Sequence, residues 1–100
     1  MRGLLSVAQA TPATAFAPDR AWRLSPQVAL RDEAFGALAY HYGNRRLVFL
    51  KSRALVSLVT ALEAYPTASA AVDALVPAAQ RTRYVRALDR LAGSGVIDAR

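Results

Sequence analysis

A chain of 100 residues without cysteine excludes disulfides, thiolate metal centres and cysteine nucleophiles, and leaves room for one small domain with a limited core. Thirteen Lys and Arg against seven Asp and Glu give a net charge of +6, which favours acidic partners: nucleic acid, anionic lipid or an acidic peptide. Arg is preferred over Lys, as a GC-rich coding bias would produce, but such a bias does not account for the charge excess, and no apolar run is long enough to span a bilayer.

Residues 1–20, including "GLLSVAQATPATAFAPDR", are rich in Ala, Thr and Pro and have no sustained periodicity. Arg2 ahead of Leu4, Leu5 and Val7, with Ala15-Phe16-Ala17 downstream, has the outline of a signal peptide. The apolar stretch is broken at Ser6 and Gln9, however, and cleavage would fall before Pro18. Residues 1–20 are therefore expected to be a disordered tail on a cytoplasmic protein, and residues 21–100 the folded domain.

From Trp22 the pattern becomes short strands. "WRLSPQVALR" pairs Trp22 and Leu24, then Val28 and Leu30, across a bend at Ser25-Pro26. "FGALAYHY" alternates, with Leu38, Tyr40 and Tyr42 on one side and Ala37, Ala39 and His41 on the other. Gly43-Asn44 predicts a two-residue hairpin turn with a positive φ at Gly43, which sets Tyr40 opposite Leu47 and Leu38 opposite Phe49. Those four residues are expected to form the core face, with Val48 and Leu50 on the other face beside Ala39 and Ala37.

The second half predicts three helices. Ser52 caps one carrying Leu55, Leu58, Val59 and Leu62 at helical spacing, ended by Pro66. Thr67 or Ser69 caps a second, carrying Val72, Leu75 and Val76 and stopped by Pro77. The third is expected over residues 78–92 with an apolar arc of Tyr84, Val85, Leu88 and Leu91, closed by Gly93 and Gly95. Val96 and Ile97 then return to the core. Strands followed by helices describe an α+β, winged-helix-like domain: a three-stranded antiparallel sheet followed by three short helices.

Catalysis by this chain is not expected. The only His, His41, lies on a strand flanked by tyrosines, and Glu63, Asp73 and Asp89 are scattered. There are no paired acids, metal-ligand cluster, phosphate loop or nucleophile elbow, so neither a metal nor a cofactor is expected. Binding features stand out instead. Arg83, Arg86 and Arg90 form a stripe on the third helix, bordering Ala87 and the apolar arc, and Arg45 and Arg46 add charge at the hairpin. The plain alternative is a solvated helix face with Arg86 and Arg90 paired to Asp89. Leu47 to Leu50 looks like an edge strand guarded by Arg45, Arg46 and Lys51, able to accept an acidic peptide as a further strand. The plain alternative there is that the Trp22–Leu30 region already covers it.

"WRLSPQVALR…FGALAYHYGNRRLVFLKS", followed by three short helices ending in "LAGSGVI", resembles the mycofactocin-system peptide chaperone family, MftB. This family lies within the PqqD-like class of precursor-peptide recognition elements. The resemblance runs from Trp22 to Ile97. It implies a non-catalytic adaptor that binds the leader of a short acidic precursor peptide and presents it to a radical-SAM enzyme. In that class the leader docks as a strand beside the third helix. Carried onto this chain, the resemblance implies peptide-binding residues Arg45, Arg46, Leu47, Val48, Phe49 and Leu50 on the strand. On the helix it implies Arg83, Tyr84, Arg86, Ala87 and Arg90. Val48, Leu50, Tyr84 and Ala87 would be the apolar anchors. Tyr65-Pro66 stands where the class often has an acidic-Gly pair. The alternative function is a winged-helix DNA-binding regulator, disfavoured because the third helix offers Ala87 and Leu91 beside its arginines and, past Gln80 at its start, has no Asn, Gln or Ser to read bases. A membrane-surface role is disfavoured by the lack of a helix with a free apolar face.

Overall fold

Ser25 makes the first bend in the chain: its hydroxyl accepts the Gln27 N–H at 3.1 Å and its carbonyl accepts the Val28 N–H at 3.0 Å. Such local bonds suit a Ser-Pro corner. In the computed structural model, which describes residues 15–100, this corner joins β1 (Trp22–Leu24) to β2 (Val28–Glu33). Next come β3 (Gly36–His41) and β4 (Leu47–Leu50), and the three later strands form an antiparallel sheet in the order β2-β3-β4. Tyr40 stands opposite Leu47 and Leu38 opposite Phe49, the expected register.

The hairpin turn differs from expectation. The His41 carbonyl accepts the Arg45 N–H at 2.8 Å and the His41 N–H donates to the Arg46 carbonyl at 2.9 Å. The loop therefore runs over residues 42–45, and the positive φ (62°) falls on Arg45, not Gly43. The register survives because closure at His41 and Arg46 leads into the same partners. Gly43 leaves room for its neighbours: a Cβ there would lie 2.1 Å from Gln27 Oε1, the tip of a flexible side chain, and 2.8 Å from the His41 ring, so both would have to shift. His41 Nδ1 accepts the N–H groups of Gly43 and Asn44, both at 3.0 Å, so the single imidazole braces the turn.

The face assignment is reversed. Ala37, Ala39 and Leu50 are at most 1% exposed and Val48 is half-buried, whereas Leu47 is 55% and Phe49 54% exposed. The helical layer packs on the side carrying the alanines, which lets it approach β3 closely. The bulkier residues are left outside.

Ser52 caps α1 (Arg53–Ala61), accepting the Leu55 N–H at 3.0 Å. The helix tightens into a 3₁₀ turn, Leu62–Ala64, before Pro66. Thr67, rather than Ser69, caps α2 (Ala68–Leu75). Val72 and Val76 are buried as expected, but Leu75 is 44% exposed. A 3₁₀ turn, Ala78–Gln80, precedes α3 (Arg81–Gly93), which therefore starts later than expected. At its end the Val96 N–H donates to the Leu91 carbonyl at 2.9 Å and the Gly95 N–H to Ala92 at 3.2 Å. Gly95, with φ of 84°, supplies the left-handed residue of this Schellman cap.

The cap delivers β5 (Ile97–Ala99) antiparallel to β1, with Ile97 opposite Leu24. This second, two-stranded sheet adds to the expected α+β arrangement. Leu50, Leu58, Leu62, Leu88, Val96 and Ile97 meet in the core, and burying each contributes about 1.5–3 kcal/mol. The core also holds Trp22, whose indole N–H donates to the Ala17 carbonyl at 2.9 Å while Phe16 packs against its ring at 4.9 Å. The Arg20 and Pro18 carbonyls accept the Ala68 and Ser69 N–H groups at 3.0 and 2.8 Å. These first-turn donors have no partner within their own helix. Residues 16–20, placed in the tail from sequence, thus belong to the packed domain, and residues 1–14 of the expected tail lie outside the described residues.

Candidate functional site

The hydrogen bond from His41 to Arg46 sets the phase of the β3–β4 ladder. Antiparallel bonding alternates along a strand, so Val48 and Leu50 turn their N–H and C=O groups toward β3. Leu47 and Phe49 turn theirs outward. Among the described strands none pairs with that outer side, because β1 is taken by β5 and β2 by β3. The Trp22–Leu30 region does not cover the edge.

Both ends of β4 are tied to α3. At the hairpin, Asn44 Nδ2 donates to the Ser94 carbonyl at 3.2 Å. Past the other end, the Ser52 hydroxyl lies 3.5 Å from the Tyr84 hydroxyl. Two depressions border these ties. One, of about 270 Å³, is lined by Lys51, Ser52 and Leu55 on one wall and by Arg83, Tyr84, Ala87 and Arg90 of α3 on the other. The second, of about 290 Å³, lies around the C-terminal end of α3, with Asn44, Arg46, Trp22 and Asp98 in its walls.

The expected site residues divide accordingly. Arg83, Tyr84, Ala87 and Arg90 are brought together in the first groove. Arg86 is exposed but turned off that wall, since it lies beyond Arg90 around the helix. Arg46 borders the second depression, and Arg45 is exposed at the hairpin tip. Leu47 and Phe49 project on the outer face of the sheet, and Val48 is half-buried against the core. Leu50, expected as an apolar anchor, is fully buried and has no side-chain surface to offer. Sequence reasoning missed Ser52 and Leu55 as groove residues. They read as a helix cap and a core position, and both are, but each also keeps a partly exposed edge beside α3.

Lys51, Arg83 and Arg90 make the groove cationic, and no carboxylate lines it. The ion pairs among the described residues are Arg31–Glu33 at 2.8 Å and Arg81–Asp73 at 3.8 Å, so the alternative pairing of Arg86 or Arg90 with Asp89 is not formed. The Arg83 guanidinium instead sits 5.9 Å from the Tyr84 ring centre, a cation–π arrangement. Among the described residues no group of three His, Asp or Glu is placed to hold a metal. Basic walls with Leu55, Tyr84 and Ala87 between them suit a ligand that carries both carboxylates and apolar groups.

A basic groove with apolar positions, close to a strand edge that no described strand pairs, suits a peptide-binding protein. The model of the peptide chaperone MftB family matches residues 21–98, and the chain belongs to that family. The peptide chaperone MftB of Mycobacterium ulcerans (strain Agy99) is 48% identical over 102 residues, covering 97% of this chain and 94% of its own. That of Mycobacterium tuberculosis (strain ATCC 25618 / H37Rv) is 46% identical over 103 residues, with the same coverage. The Mycolicibacterium smegmatis protein of that name is 46% identical over 83 residues, covering 82% of this chain and 81% of its own. No solved structure gives a significant match. The family role is that of a peptide chaperone, not an enzyme. No helix among the described residues is long and apolar enough to cross a membrane.

Proposed function

We propose that this chain binds the leader of a short acidic precursor peptide as an added strand on β4. It then presents the peptide to a radical-SAM modifying enzyme in the cytoplasm, as a step of mycofactocin biosynthesis. The observation that carries this reading is the outer side of β4, which no described strand pairs, together with the basic groove that α3 forms just past the end of that strand. Strand addition gives partners to the outward N–H and C=O groups of Leu47 and Phe49, which no described strand pairs, and side-chain pockets supply specificity. The leader's carboxylates meet Lys51, Arg83 and Arg90, and its apolar groups meet Leu55, Tyr84 and Ala87. Arg45 and Arg46 steer the approach, which raises the association rate more than the affinity and fades with salt.

Titration calorimetry of the full chain with a synthetic acidic leader peptide, in parallel with generic duplex DNA and at two salt concentrations, tests this. Saturable one-to-one peptide binding that persists at higher salt is expected. Tighter binding to DNA, with a steep salt slope, would make the hairpin a wing along phosphate instead.

A further inference from the structure

The outer face of the sheet carries a band of large apolar side chains that the groove does not use. The Phe35 and Phe49 rings stack at 5.6 Å, and Tyr40 and Tyr42 meet edge to face at 5.3 Å. Between them the cross-strand pairs Leu38–Phe49 and Tyr40–Leu47 make the band continuous. Phe35 is 41%, Tyr42 62% and Leu47 55% exposed, so no described residue covers it. A patch of this kind on a chain of 100 residues marks an interaction surface.

Charge decides what covers it. Arg31 stands beside the band, opposite Leu38, and Arg45, Arg46 and Lys51 flank β4. Arg31 and Glu33, the carboxylate on this face of β2, form a 2.8 Å ion pair that neutralises both, so the net positive border comes from Arg45, Arg46 and Lys51. A second copy would set like charges against like on a chain of net charge +6. A protein surface that is apolar at its centre and acidic at its rim fits both band and border. The band is also continuous with the strand edge, since Leu47 and Phe49 belong to both. Alternate side chains of an added strand would emerge on this face next to them, so a bound peptide widens the band.

We infer that the outer face of the β2-β3-β4 sheet is the docking surface for the enzyme that modifies the bound peptide, and that the peptide strand completes this surface. The inference rests on the proposed strand addition. The enzyme should therefore bind the loaded chaperone more tightly than the empty one, and its subsite is distinct from the groove on α3.

The test uses residues outside the peptide site. Phe35→Ser with Tyr42→Ser, and separately Arg31→Glu, are compared with the unaltered full chain for binding to the synthetic leader and, by biolayer interferometry, to the purified radical-SAM enzyme. Circular dichroism checks folding. The double variant should lose enzyme binding about tenfold or more, a few hot-spot side chains carrying most of such an interface, while keeping its leader affinity. Arg31→Glu should weaken the enzyme severalfold, and saturating leader should tighten the unaltered chain's hold on the enzyme. Enzyme affinity unchanged in folded variants that still bind leader would overturn the docking surface. Equal enzyme affinity with and without leader would overturn its completion by the peptide. A chain that sediments as a dimer and becomes monomeric in the double variant would assign the band to a second copy. Failure of the unaltered chain to bind leader at all would instead count against the proposed function.

Discussion

On the helix-facing side of the three-stranded sheet stand Ala37, Ala39, Val48 and Leu50; on the other side stand Leu38, Tyr40, Leu47 and Phe49. Size alone assigns the second set to the core, and the structure does the opposite. Burial follows from what lies against a face. The helices need the flat surface that two alanines provide, and Leu50 fills the remaining space at the end of β4. The outer set contributes little to folding because water still reaches it. Its side chains are arranged as a surface, with rings paired and strands in register.

The sharpest way to break this comparison is to truncate neighbouring residues on opposite faces. Leu50→Ala should destabilise the chain by about 2–5 kcal/mol, the range for a buried leucine that leaves a cavity. Phe49→Ala should cost less than about 1.5 kcal/mol, most of it the lost stack on Phe35. Urea denaturation of both variants measures the difference. Equal losses would show that the outer face is a second core.

The same alternation governs the backbone. Val48→Pro removes a donor directed at β3 and leaves a buried acceptor unmatched, for a loss of about 1–3 kcal/mol. Phe49→Pro removes a donor directed at solvent, where proline is tolerated on an edge strand. Its fold should hold while leader affinity falls about tenfold, equivalent to one lost hydrogen bond of roughly 1.4 kcal/mol. Phe49→Thr keeps the N–H and serves as the control. If leader binding is as weak in the threonine variant as in the proline one, the side chain rather than the strand edge holds the peptide.

Much of this was legible in the sequence, because local signals were strong where they existed. The Tyr40–Leu47 register, the Ser52 cap and the glycine stop after α3 each depend on residues close together in the chain. The β1–β5 pairing was not legible: it joins Trp22–Leu24 to Ile97–Ala99 from opposite ends of the domain, and a three-residue strand has no periodicity to read. The facing of the sheet was missed for a related reason. Alternation separates two faces but does not say which one the helices will choose. For the candidate site, helical spacing placed Arg83, Arg86 and Arg90 in one stripe beside Ala87, but it could not see that Arg86 turns off the groove or that Ser52 and Leu55 close the other wall.

The smallest expected effect separates two arginines that the sequence groups in one stripe. Arg90 lines the groove and Arg86 does not, although both are exposed on α3 and both carry one positive charge. Reversing either to glutamate changes the net charge equally, so the long-range attraction of an acidic peptide should fall by a similar amount. Association rates should therefore drop alike in the two variants, and more at low salt than at high. Dissociation is a local matter. In the proposed docking only Arg90→Glu places a repulsive charge against the leader, so its dissociation rate should rise about threefold to tenfold, while that of Arg86→Glu stays near the unaltered value. Stopped-flow measurements on the leader peptide at two ionic strengths resolve both rates. Matching dissociation rates in the two variants would mean that the wall of α3 attracts the peptide without touching it.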